Sequence, residues 1–113
     1  MEDDWPILIH MNQCMMRIQK YVDDGRSTFM ESMLVQHATL WEMVLLCEAA
    51  KAISDEMKVL HPEVNWQHVC GLTDFLIQSP WTVDRSKVWD CVEAELPNLH
   101  HHVKDMLTNR HLK

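Results

Sequence analysis

A chain of 113 residues with 47% apolar content can fill one core and is too short for two ordinary domains, so a single domain over residues 1–113 is expected. Its formal charge of −7, from 17 acidic against 10 basic residues, opposes a broad nucleic-acid footprint, because phosphate binding draws on clustered Lys and Arg. Glycine occurs only at Gly25 and Gly71 and the β-branched residues do not alternate, which excludes a turn-rich β sandwich and leaves an all-α class.

The N-terminal MEDDW is acidic where a secretory leader is basic, and no apolar run approaches the roughly 18 residues of a membrane span, so a cytoplasmic protein with no membrane partner is expected. Cys14, Cys47, Cys70 and Cys91 fall far apart, one in each predicted helix and with no CxxC pair. They read as reduced thiols buried as small apolar groups, against the sparser alternative of a zinc site with one ligand per helix. No metal and no cofactor is expected.

The first helix is predicted from Asp4 to Asp23, with Asp4 as N-cap and Pro6 in the first turn, where its missing N–H costs little. Ile7, Met11, Cys14, Ile18 and Tyr21, flanked by Leu8, Met15 and Val22, make its apolar stripe, with His10, Gln13, Arg17 and Lys20 turned away. Thr28 to Glu31 reads as a capping box opening a second helix, which bends near Ser32 and then runs to about Leu60 on a stripe of Leu34, Trp41, Val44, Leu45, Ile53, Met57 and Leu60. Such a helix is roughly 40 Å long, and a protruding end implies a subunit contact.

His61-Pro62-Glu63 stops that helix, and Asn65 caps a third from Trp66 to about Ile77, closed by Gln78-Ser79-Pro80. Asp84 caps a fourth, whose stripe is Val88, Val92, Leu96, Leu99, Val103 and Met106. Pro97 inside this pattern predicts a kink or break near Glu93 to Leu96, and the tail after Leu107 is expected to fray. The sum is a four- to five-helix up-and-down bundle.

Several segments in fixed order carry a family resemblance from about Asp4 to Leu107. They are CEAAKAISDEM at Cys47 to Met57, HPEVNW ending at Trp66, the frame around Gly71, Val83-Asp84, VWDCV at Val88 to Val92, and ELPNL at Glu95 to Leu99. The chain resembles the HepT-like proteins of the HEPN superfamily. That resemblance implies a dimeric helical bundle, the toxin half of a toxin–antitoxin pair, whose partner is a small MntA-like nucleotidyltransferase antitoxin. Members with an intact motif carry an arginine, a polar neighbour and a histidine that cleave RNA at the dimer interface, and a tyrosine two residues on that receives a nucleotide.

In this chain the motif positions hold Thr73, Asp74 and Gln78, and the adenylylation position holds Pro80 in place of tyrosine. Cleavage needs a cation for the phosphate and an imidazole for proton transfer, and these side chains supply neither. A second polar pair of the family aligns with Trp41 and Glu42, also replaced, while the pocket-side Glu48 matches the family pattern. The family activity is that of an endoribonuclease; here the resemblance implies a very poor ribonuclease or none, and RNA binding comes into question with it. The alternative is an active enzyme that works through Glu48, His68 and Gln78.

Among other candidates, His100-His101-His102 reads as a solvated run, since helical neighbours point about 100° apart and cannot share one ion. His61 and His68 read as helix-start or interface histidines. The methionines at 11, 15, 43 and 57 read as core, and Trp41 as a filler of the vacated pocket. Trp81 and Trp89 flank the turn at Pro80, which marks Pro80 and Trp81 as the surface for a partner protein.

Overall fold

The chain order is α1 (Asp4–Tyr21), α2 (Arg26–Glu31), α3 (Met33–Ala52), α4 (Asp55–Leu60), α5 (Trp66–Cys70), α6 (Leu72–Leu76), β1 (Ile77–Ser79), β2 (Thr82–Val83), α7 (Arg85–Asp90), a π-turn (Cys91–Glu95) and α8 (Leu96–Asn109). The computed structural model describes residues 1–79 and 81–110, the side chain of Gln78 excepted; the turn expected at Pro80 and the tail beyond residue 110 lie outside them. The architecture is an all-α helical bundle, with one short antiparallel ribbon in which Ile77 pairs with Val83 and Ser79 with Thr82.

The bundle is organised by the pairing of α1 with α3 and α8. Leu8, Met11, Cys14, Met15 and Ile18 recur every three or four residues on α1 and are all buried. Burial of each large apolar side chain contributes roughly 1.5–3 kcal/mol against exposure, enough to fix which face of α1 turns inward. Met43 and Met57 join this core, as their helical spacing predicts.

Asp4 is not the N-cap of α1, a position held by Asp3 without a side-chain bond. It is buried, and its carboxylate accepts from the backbone N–H of Ser54 at 2.8 Å and from the Ser54 hydroxyl at 2.6 Å. Ser54 in turn caps α4 by accepting from Met57 N–H. The long second helix is therefore cut: extended backbone at Ile53 and Ser54 separates α3 from α4. The expected capping box at Thr28 does not form either. α2 starts earlier, after Gly25 at φ 93°, and Ser32 starts α3 by accepting from Val35 N–H.

Asn65 and Asp84 do cap, accepting from His68 N–H and from Ser86 and Lys87 N–H. The third helix is interrupted at Gly71 and ends at Leu76, because the chain goes extended into β1. All six stripe positions from Val88 to Met106 are buried. The disturbance expected before Pro97 takes the form of the π-turn, after which Pro97 sits in the first turn of α8, where its missing N–H leaves no helical bond unmade. α8 stays helical to Asn109, beyond the expected fraying point.

Several side chains depart from expectation, Leu60 of the expected buried stripe among them at 50% exposure. Trp89 is buried, its ring 5.4 Å from that of Phe29 and its Nε1 donating to Glu93. His100 is not solvated: only 4% of it is exposed, and the neutral ring with its proton on Nε2 donates to Asn12 at 2.7 Å and accepts from Gln19 at 3.2 Å. Leu34 and Trp41, expected inside, are 80% and 60% exposed, so Trp41 fills no interior volume.

Candidate functional site

The expected site residues do not converge on one pocket. On α6, Asp74 is exposed and Thr73 half-buried; the next element, β1, carries Gln78. Asp74 lies within electrostatic reach of Lys51 on α3, whose ammonium is stabilised first by its hydrogen bond to Glu48, at 3.2 Å, and last by Asp74. Glu48, Lys51 and Asp74 thus share a solvent-facing patch in which carboxylates outnumber the cation. The next cation, Lys87, sits 5.3 Å over the ring of the half-exposed Phe75.

Trp41 and Glu42 do not share a pocket. As helical neighbours they point about 100° apart, and Glu42 is turned inward, where Arg17 Nε donates to it at 2.9 Å and the Tyr21 hydroxyl at 3.5 Å. A buried carboxylate without such partners would cost several kcal/mol. Arg17, expected to turn away from the core, and Tyr21, expected in the apolar stripe of α1, are thereby part of a polar cluster. Its sequence signal is the 4-residue offset of Arg17 and Tyr21 along one helix face.

A cleft of about 280 Å³ lies between α5 and the π-turn. Glu63, Asn65, His68, Glu95, Asn98 and His102 ring it, over a floor that includes Val69, Leu72 and Leu99. His68 Nε2 approaches Glu95 Oε1 to 2.5 Å, off the line of a well-angled hydrogen bond. Nothing joins His68 to Glu48, which bonds Lys51 on another face. The cleft lining has two imidazoles and two carboxylates but, among the described residues, no Lys or Arg, so it offers a proton acceptor without a cation for phosphate.

Among the described residues, no group of three or more His, Cys, Asp or Glu side chains is set to hold a metal ion. The cysteines are free. Burial, then Glu42, pushes the Cys14 thiol up to about 11, and burial raises Cys91 further still, so both stay protonated and unreactive near neutral pH. Cys47 donates its S–H to the carbonyl of Cys70 at 2.8 Å.

The family model for HepT-like ribonucleases matches residues 11–106. The chain belongs to the HepT-like ribonuclease family. A protein from Caldanaerobacter subterraneus subsp. tengcongensis, whose name marks it as a proposed RNase, is 25% identical over 103 residues, which is 90% of this chain and 92% of that one. A probable ribonuclease HepT from Thermococcus cleftensis is 33% identical over 64 residues, 57% of this chain and 58% of its own. No solved structure matches.

Within this HepT-like chain, the hairpin that follows α6 presents Trp81 at 86% exposure, the most exposed large apolar side chain among the described residues. No described helix is long and apolar enough to cross a membrane.

Proposed function

We propose that this HepT-like protein, one domain over residues 1–113, has lost RNA cleavage and acts by dimerising and binding a nucleotidyltransferase partner as a toxin–antitoxin component. The observation that carries this reading is the patch on α6. Where the resemblance places the arginine and its polar neighbour, the chain has the half-buried Thr73 and the exposed Asp74, beside a Lys51 already bonded to Glu48. A phosphate there meets a carboxylate, and loss of general acid–base help alone lowers a rate by about 10²- to 10⁴-fold. Pro80 has no hydroxyl to accept a nucleotide, so the partner binds here without modifying that position; the exposed Trp81 beside it is the natural contact.

Two assays test this. Incubation with total RNA gives no fragments beyond the buffer control, and a nucleotidyltransferase encoded beside the gene co-purifies with the chain. Fragmentation by the unmodified protein, or a clean monomer that retains no neighbour, rejects the proposal. The variant carrying Thr73→Arg, Asp74→Asn, Gln78→His and Pro80→Tyr regains growth arrest if the scaffold is otherwise competent.

One observation favours a second reading, a ribonuclease working through replaced residues: His68 and Glu95 meet in the cleft beside α5. In that case cleavage vanishes in a His68→Ala, Glu95→Ala double variant, and the reading ends with an unmodified protein that cuts nothing.

A further inference from the structure

We propose that Cys47 and Cys70 are a peroxide-sensitive thiol pair, Cys70 being the thiol that meets the oxidant and Cys47 the one that closes a disulfide with it. The pair works whether or not the chain cuts RNA, since it uses none of the motif positions.

Of the four cysteines, these two are brought together by the fold. Cys47 lies on α3 and Cys70 ends α5, 23 positions on, and the Cys47 S–H donates to the Cys70 carbonyl at 2.8 Å. A carbonyl oxygen sits about 2.4 Å from its own Cα, so Cys47 Sγ is no more than about 5 Å from the Cα of Cys70. A disulfide needs Cα atoms about 4.4–6.8 Å apart, a spacing that rotation of the thiols and a small shift of α5 reach. α5 can yield, because it has five residues and is interrupted at Gly71. Cys14 instead faces His10 and Arg17, and Cys91 lines the cleft beside α5.

Exposure assigns the roles. Cys70 is half-buried and open in part to solvent, whereas Cys47 is 1% exposed. A small peroxide therefore meets Cys70 first. The Cys70 sulfur attacks one peroxide oxygen, the O–O bond breaks, and the thiol proton leaves with the departing hydroxide as water. Cys47 sulfur then attacks the Cys70 sulfenic acid, forming S–S and breaking S–O, and its own proton leaves in a second water. The pair is oxidised by two electrons and the peroxide is reduced. The bridge fastens α3 to the residue before Gly71, and so tethers the start of α6, which carries Thr73 and Asp74.

The test is a hydrogen peroxide titration of the intact protein, followed by alkylation with iodoacetamide and mass spectrometry. The unmodified protein loses the mass of two hydrogens, and its Cys47 and Cys70 peptides stay joined until a reductant is added. Cys14 and Cys91, both buried, remain free to alkylate once the chain is unfolded. Cys47→Ala stops at the Cys70 sulfenic acid, which dimedone traps, and Cys70→Ala resists the same dose. The bridged protein melts several degrees above the reduced one, because the cross-link restricts the unfolded chain. The proposal is overturned if peroxide leaves all four thiols free, if the bridge joins other cysteines or two chains, or if Cys70→Ala is oxidised as readily as the original. A bridged protein that melts no higher than the reduced one would equally show that the fold is not built to accept the bond.

Discussion

His100 shows how a single side chain can be misplaced by sequence and then explain a property of the molecule. It stands in a run of three histidines that reads as solvated, yet it falls on the inner side of α8 between Val103 and Leu99 and is buried against Asn12 and Gln19. Burial, followed by Lys104, holds its imidazolium form below the usual histidine range. The unfolded chain therefore takes up this proton first as pH falls. The stability that depends on neutral His100 is complete above about pH 6.5, the unfolded value, and is lost as pH drops from there toward the lower folded value. Urea midpoints measured from pH 7.5 to 5 should thus decline on the acidic side, and in His100→Gln, whose amide can replace one of the two bonds, this component of the decline should vanish. An identical pH profile in the variant would rule the residue out as its source.

At the scale of elements, the sequence was most legible where one face is apolar and the other polar. The stripe from Val88 to Met106 is buried throughout, and even its π-turn left a trace: the steps Val88–Val92–Leu96 are both of four residues, an overlong repeat that a π-turn absorbs and a straight α-helix does not. α3 was less legible because it is apolar on most sides, so periodicity could not choose between Met43 or Leu46, which are buried, and Leu34 or Trp41, which are not. The break between α3 and α4 was missed for another reason. It is made by a tertiary contact, Asp4 on Ser54, fifty residues apart, that local propensity does not contain. Its weight can be measured. Asp4→Ala removes two charge-assisted hydrogen bonds and should cost about 2–4 kcal/mol, Ser54→Ala about 1–2 kcal/mol through the lost cap, and the double variant less than their sum. Strict additivity in urea unfolding would show that Asp4 and Ser54 do not act as a unit.

At the scale of the whole molecule, the same ambiguity of α3 becomes an argument about assembly. Leu34, Ala38, Trp41 and Leu45 follow 4-3-4 spacing and lie on one face, with Leu34 and Trp41 at 80% and 60% exposure. Glu42, about 100° from Trp41, points into the protein, so this face is distinct from the Arg17 cluster and borders it. A contiguous apolar row of this kind on a surface is unfavourable in water unless something covers it. The candidate site was only partly readable for a related reason: the residues at 73, 74 and 78 are plain in the sequence, but whether Trp41 looks inward or outward depends on packing across three helices. We propose that a second copy covers this row, which is the dimer contact the family resemblance implies. Trp41 is then its most consequential side chain, since truncating or charging a central aromatic typically costs at least about 2 kcal/mol of association, roughly 30-fold in affinity. Trp41→Glu should therefore sediment as a monomer at concentrations where the unmodified protein is dimeric. Because the side chain is exposed in the isolated fold, the thermal unfolding of the monomer should stay within about 0.5 kcal/mol of the original. A monomeric unmodified protein at high concentration, or a Trp41→Glu variant that dimerises as before, would place the dimer contact elsewhere and leave the row to another partner.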